Sequence, residues 1–127
     1  MRGIVFTTDL KMQVKDFDQP LYETIGKEVG GWIEIVHPEG LDYPLCFVCN
    51  EEGLIHHLPL NIFGSVLYGT HKHGSPVVGN IVVMREGMTE DGPDLVDLTD
   101  EDIEHVKKLA QEISHGQIQE VEAPDHA

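Results

Sequence analysis

Short apolar runs separated by turn-forming residues fill the chain from Gly30 to Thr99. A chain that changes direction every few residues builds no long helix there, so these runs predict strands joined by tight turns. The tetrad Asn50–Gly53 predicts a hairpin turn between two of them. The last run is apolar almost throughout, which is typical of a strand covered on both faces. The four runs are Trp32–Val36, Leu45–Val48, Leu54–Leu58 and Val77–Met84.

The N-terminal part of the chain predicts two strands and a helix. Arg2–Thr8 is rich in β-branched and aromatic residues, and Lys11–Phe17 alternates weakly. Pro20 suits the first turn of a helix, because its missing N–H would be unpaired there in any case. Gly30 ends that helix. The predicted apolar face of the helix consists of Leu21, Tyr22, Ile25 and Val29.

Capping residues predict two further helices. Asn61 caps a short one, and Thr99 caps a longer one with Asp102 at the capping-box position and Gly116 at its end. Strands interrupted by separate helices indicate a single α+β domain over residues 1–116, with a mixed or mainly antiparallel sheet of about five to six strands and about two to three helices. The C-terminal amphipathic helix is expected to pack on the sheet. Residues 117–127 are polar and acidic and predict a flexible tail.

The chain is strongly acidic: its 127 residues include 23 Asp and Glu against 8 Lys and Arg, a net charge of −15. A field of that sign repels phosphate groups, so direct binding to nucleic acid or to an anionic membrane is disfavoured, while a basic partner is left open. The N-terminal apolar run is too short for a signal peptide, and no window reaches the length of a membrane span. Two cysteines make no disulfide framework. These features predict a cytoplasmic protein.

Five short segments, each a turn, a cap or a buried strand, carry a resemblance to a known family. They are Gly30–Glu34, Cys49–Gly53, Leu58–Asn61, Val78–Ile81 and Leu98–Glu101. As a set they resemble domain-of-unknown-function family 3846 over roughly residues 1–115. The resemblance implies a small accessory protein carried by a phage, prophage or plasmid, and it brings no catalytic residues with it. The His71–His73 loop and the acidic tail have no counterpart in that pattern.

Reactive side chains form no established catalytic pattern in the sequence. Cys46 and Cys49 have the spacing of half a zinc site, and His56 and His57 would complete it, but residues three apart on a strand face opposite ways. Two buried or half-buried thiols that behave as small apolar side chains are therefore the preferred interpretation. Ser65 lies outside a Gly-x-Ser-x-Gly elbow, and no phosphate-binding glycine loop is present. We expect no catalytic residue, no metal and no cofactor.

The segment Gly69–Pro76 predicts a loop, and one candidate ligand site is centred on the His71–His73 loop within it. This compact cationic cluster suits an anion or, with a carboxylate, a metal. Convergence of Asn61 and Arg85 on this loop would complete the site. The alternatives are a solvated loop and, for Arg85, an ion pair with Glu86 or another nearby acid. The candidate ligand-binding residues are Asn61, His71, His73 and Arg85.

Residues 85–98 predict a long acidic loop. A second candidate site lies between Glu86 and Glu104, where nine acidic residues occur without a lysine or arginine. Such a segment imitates nucleic-acid phosphates or docks a basic protein. The alternatives are favourable charges at a helix N-terminus and simple solubility. We name as the acidic strip the candidate partner-binding residues Glu90, Asp91, Asp94, Asp97, Asp100 and Glu101.

Three functions fit these observations. The preferred one is a non-enzymatic accessory protein of a mobile genetic element that binds a macromolecular partner or a small ligand. The second is an acidic nucleic-acid mimic that inhibits a host DNA- or RNA-binding defence protein. The third is a metal-dependent enzyme that uses His71, His73 and a carboxylate. The exposed strand edges expected of a small sheet also favour a homodimer.

Overall fold

The computed structural model describes residues 1–122, apart from the side chain of His73. The strands within this range are β1 (Arg2–Phe6), β2 (Lys11–Asp16), β3 (Ile33–Val36), β4 (Leu45–Asn50), β5 (Ile81–Thr89), β6 (Gly92–Val96) and β7 (Gln119–Glu120). The helices are α1 (Leu21–Val29), α2 (Ile62–Tyr68), α3 (Thr70–His73) and α4 (Asp100–Ser114).

The strands form one mixed sheet in the order β3-β4-β5-β1-β2-β7, with β6 paired to the second half of β5. Every pairing is antiparallel except that of β7, which runs parallel to β2. Because the helices are not interleaved regularly with parallel strands, the predicted α+β class is confirmed. The described residues hold seven strands and four helices, more of each than the sequence predicted.

Side chains of the central strands alternate between two cores, one on each face of the sheet. Phe47 packs in one core with α2 and α4, through residues such as Phe63 and Val106. Its neighbour Val48 packs in the other core with α1, through residues such as Ile25. The sheet therefore lies between α1 on one face, which we call the α1 face, and α2 with α4 on the opposite face.

Local signals placed the end of α1 and the start of α4 correctly. Gly30 ends α1 in the left-handed conformation at φ 88° and donates its amide to the carbonyl of Gly26. Thr99 caps α4, and its hydroxyl accepts from the amide of Asp102 while the Asp102 side chain accepts from the amide of Thr99. The predicted capping box and the predicted packing of the C-terminal helix on the sheet are both confirmed.

The predicted hairpin arm at Leu54–Leu58 is wrong. Residues 51–57 form consecutive turns instead, in which the amide of His56 donates to the carbonyl of Glu52 and that of Leu58 to the carbonyl of Gly53. The physical reason lies in β4, whose two edges are already taken by β3 and β5. No free edge of β4 remains for a returning arm.

The segment from residue 85 to 98 was predicted as a loop and instead contains a hairpin. The strand β5 continues to Thr89, the chain turns at residues 90–91, and β6 returns with Arg85 opposite Val96 and Thr89 opposite Gly92. Leu95 is buried in the core of the α1 face. Acidic residues therefore occupy a strand here because cross-strand pairing and one apolar anchor outweigh a weak local propensity.

Two further segments have more structure than predicted. The predicted loop from Gly69 to Pro76 holds the short helix α3. In the predicted tail, Ile118 is buried and Gln119–Glu120 pairs with β2, so the packed domain extends beyond Gly116. Residues 123–127 lie outside the described residues. The mobility expected of the tail stays a prediction.

Candidate functional site

Asn61 is a structural residue in this fold. It is fully buried, and its side-chain oxygen caps α2 by accepting from the amide of Gly64 at 2.9 Å. Its side-chain nitrogen donates to the carbonyls of Phe6 and Gly79 at 3.0 and 2.9 Å. These three bonds join α2 to β1 and to the chain before β5.

Arg85 is held by a carboxylate of α4. Its Nη1 lies 2.9 and 2.8 Å from the two carboxylate oxygens of Asp102. The ion pair expected of Arg85 with a nearby acid is therefore present, and the acid is Asp102. Glu86, the other candidate, contacts the ring of His37 instead.

His71 lies exposed on α3, and the side chain of His73 lies outside the described residues. The ammonium of Lys72, between them, is 3.7 Å from a carboxylate oxygen of Glu39. The contacts of Asn61 and Arg85 described above do not involve His71, so no described contact brings these candidate ligand residues together. Among the described residues, no three His, Cys, Asp or Glu side chains are grouped as metal ligands.

Asp102 predicts a pH-dependent contribution to stability. Burial raises the pKa of this carboxyl, but the amide of Thr99 and the Arg85 guanidinium outweigh it and hold the pKa below its ordinary value of 3.8. A lowered folded-state pKa stabilises the protein above the unfolded-state value, and that stability is lost as pH falls through the folded-state value. We expect Asp102→Asn to cost about 1–2 kcal/mol at pH 7.

This difference between wild type and Asp102→Asn should shrink below about pH 4 and vanish at lower pH. Urea denaturation at pH 7, 5, 4 and 3 measures it. Glu104→Gln, an exposed acid on the same helix, is the matched control. A cost for Asp102→Asn that persists unchanged at pH 3 would contradict the ion-pair explanation.

The acidic strip is partly neutralised at one end by Arg2. The carboxylate of Asp97 accepts from the backbone amide of Arg2 at 2.5 Å, and that of Asp100 accepts from Arg2 Nη1 at 2.7 Å. Two charges of the strip are therefore engaged in joining β1 to the start of α4. Three other members of the strip are exposed: Glu90, Asp91 and Glu101.

The two cysteines face opposite cores, as the sequence predicted from their spacing on a strand. Cys46 belongs to the core under α1 and Cys49 to the core under α2 and α4. Burial is the main cause that raises the pKa of each thiol to about 12. Both thiols are protonated at neutral pH and behave as small apolar side chains.

A concave apolar surface lies beside α1, and the sequence did not predict it. It is a groove of about 680 Å³ between α1 and the chain that enters β3. Trp32, the single tryptophan of the chain, stands 76% exposed at this groove. We name it the aromatic groove, after the main lining residues Tyr22, Gly26, Gly31, Trp32 and Ile33.

Tyr22 was predicted on the buried face of α1, and that prediction is wrong. Leu21, Ile25 and Val29 are buried, whereas Tyr22 is 52% exposed. The three buried residues are spaced four apart and share one face, and Tyr22 lies about 100° around the helix from Leu21. Its ring therefore lines the groove at the flank of α1.

Asn50 fixes the position of α1 against β4. Its side-chain nitrogen donates to the carbonyl of Val29 at 3.3 Å, and its oxygen accepts from the amide of Glu52 at 2.8 Å. A Cβ at Gly31 would lie 3.0 Å from the Asn50 nitrogen. The chain passes this close because residue 31 is glycine, and the passage forms one wall of the groove.

The aromatic groove is mainly apolar with acidic surroundings. The charged side chains that line it are Glu23, Lys27 and Glu51, all exposed. The hydroxyl of Tyr22 donates to the carboxylate of Asp94 at 3.2 Å, so the groove adjoins the acidic strip. Partial burial and the Asp94 carboxylate raise the pKa of this hydroxyl, which keeps it a donor.

A smaller cavity of about 170 Å³ lies on the opposite face of the same strand. Its lining includes Glu34 and Val36 of β3, Cys49 of β4, Tyr68 of α2, and Pro76 after α3. Cavities therefore flank β3 on both faces of the sheet.

Within residues 1–122, none of the helices has the length and hydropathy needed to cross a bilayer.

Comparison with known proteins assigns the family. No curated protein and no solved structure matches the chain significantly. A family model for the domain of unknown function DUF3846 matches residues 1–124, and the chain therefore belongs to that family.

Proposed function

We propose that this chain is a non-enzymatic accessory protein of a mobile genetic element, and that it binds a basic protein partner at the aromatic groove. The origin in a phage, prophage or plasmid is part of the proposal, and the family resemblance supports it. The binding role depends chiefly on one observation, the exposed Trp32 in an apolar groove of about 680 Å³.

The shape and lining of the groove support a binding role. Single exposed apolar residues are ordinary on protein surfaces, but an aromatic pair in a concave apolar site is typical of a binding surface. Trp and Tyr are the side chains enriched where binding energy is concentrated. Tyr22 and Trp32 supply that pair, and Ile33 adds an aliphatic wall.

Charge supports a basic partner rather than a neutral or acidic one. The whole chain carries −15, so its field accelerates encounter with cationic surfaces. Next to the groove, Glu23 and Glu51 outnumber the single Lys27. Asp94 of the acidic strip contacts Tyr22, so a partner seated in the groove meets the strip as well.

The two alternatives receive less support. A nucleic-acid mimic requires a continuous row of free carboxylates, whereas Asp97 and Asp100 hold Arg2. A metal-dependent enzyme needs His71 beside a carboxylate in a cavity, and His71 lies outside both cavities described above.

The test measures binding of a fluorescently labelled, capped hexapeptide, Arg-Val-Arg-Phe-Arg-Val, by anisotropy at physiological salt. We expect saturable binding by the wild type and roughly tenfold or greater weakening by Trp32→Ala, as for a central aromatic anchor. Ile62→Ala is the control, because Ile62 is 48% exposed on α2 and lies on the opposite face of the sheet. Equal binding by all three proteins would overturn the groove as the site.

A further inference from the structure

We propose that β3 receives an extended basic segment of the partner as an additional strand of the sheet, beside the aromatic groove. This inference rests on the proposed function and specifies how the partner is held. Main-chain hydrogen bonds to the edge of β3 would supply affinity. The cavities beside β3 would bind the side chains of the added segment and so supply specificity.

The outer edge of β3 is open in the described part of the chain. There β3 pairs with β4 and with no other strand. The amide of Glu51 donates to the carbonyl of Trp32 at 2.8 Å, which makes residue 32 a hydrogen-bonded position. In an antiparallel pair such positions alternate. Ile33 and Ile35 therefore direct their backbone N–H and C=O groups outward, where a further strand can bind them.

The two cavities beside β3 lie where the side chains of an added strand would point. Successive side chains of a strand face opposite sides of the sheet. Ile33 lines the aromatic groove on the α1 face, while Glu34 and Val36 line the cavity of about 170 Å³ on the opposite face. An added strand would place alternate side chains in the two cavities.

The position of Glu34 determines which face of the added strand carries basic side chains and which carries apolar ones. Its strand partner is Cys49, which belongs to the core under α2 and α4, so its exposed carboxylate lies on that face. A lysine or arginine of the added strand would pair with it. The aromatic groove on the other face takes an apolar or aromatic side chain. The expected segment alternates basic and apolar residues.

A second copy of this chain is a poorer occupant of the same edge. Each copy carries −15, and two β3 edges paired antiparallel would bring two Glu34 carboxylates together. Like charges across a strand pair are unfavourable. Charge complementarity therefore favours a basic segment.

The experiment uses the hexapeptide above and two isomers with N-methyl groups on either the odd or the even residues. Only one set of peptide amides faces β3, so one isomer should bind like the parent and the other more than tenfold more weakly. Hydrogen exchange of the protein should slow at the amides of Ile33 and Ile35 when peptide is added. The amide of Glu34, already directed to β4, is the internal control.

A pair of charge variants tests whether the basic residues of the added segment pair with Glu34. Glu34→Lys should weaken binding roughly three- to tenfold. Glu112→Lys, the same charge change at an exposed site on α4, should have little effect. Equal effects of the two variants would overturn the role of Glu34.

The remaining outcomes show which of the two proposals fails. If the parent hexapeptide fails to bind, the proposed function and the strand addition both fail. If it binds and the two methylated isomers bind equally, the strand addition alone is overturned. If Ile33 and Ile35 are protected without peptide in a concentration-dependent dimer, the occupant is a second copy and the proposed basic segment is wrong.

Discussion

Replacing Asn61 by alanine is expected to lower the free energy of unfolding by about 4 kcal/mol, a large fraction of the stability of a small domain. The substitution removes the cap of α2, worth about 1 kcal/mol. It also leaves the carbonyls of Phe6 and Gly79 without the donor that they have now. A buried polar group that loses its partner costs about 1–3 kcal/mol. Urea denaturation followed by circular dichroism measures the change.

Thr99→Ala is the matched control for this prediction. Thr99 also caps a helix, by accepting from the amide of Asp102 at 3.0 Å, but it is exposed. We expect its loss to cost about 1 kcal/mol, so the difference between the two variants isolates the effect of burial. A cost below about 1 kcal/mol for Asn61→Ala would show that water or local rearrangement satisfies the two carbonyls.

Replacing Phe63 by alanine is expected to cost about 3–5 kcal/mol, the range measured for large-to-small changes of buried aromatic residues. Phe63 is 2% exposed, and its ring stacks on that of Phe6 with centroids 4.0 Å apart and planes inclined by 27°. The substitution removes apolar contact and leaves a cavity between α2 and β1, since the neighbouring backbone is held by Asn61. Denaturation midpoints and slopes in urea measure the loss.

Two variants on α2 control this prediction. Phe63→Leu keeps most of the apolar volume and should cost about 1.5 kcal/mol or less. Ile62→Ala, at the adjacent but half-exposed position, should change stability by about 0.5 kcal/mol or less. A Phe63→Ala variant no less stable than Phe63→Leu would mean that the core closes around the missing ring.

The structure explains why some elements were predictable from sequence and others were not. The start of α4 depends on Thr99 and Asp102, which contact each other three residues apart. By contrast, β6 contains Gly92 and Pro93, which disfavour strands locally. It is a strand because the second half of β5 extends beyond β1 and offers a free edge to it.

The candidate sites divide in the same way. Arg85 was predicted to pair with Glu86 or another nearby acid. The acid that it contacts is Asp102 of α4. Trp32 follows two glycines in the sequence, a signal of an unusual backbone rather than of a groove. The concavity exists because α1 is anchored to β4 by Asn50. That contact joins residues 21 positions apart, so no local sequence pattern predicts it.

The amino-acid sequence was sufficient to locate the end of α1, the starts of α2 and α4, and the opposite facing of Cys46 and Cys49. These features depend on side chains within a few residues of one another along the chain. The strand order, the open edge of β3 and the aromatic groove depend on the tertiary structure. Strand edges are shared among distant segments that compete for them, so a pairing is settled only when the whole sheet has formed.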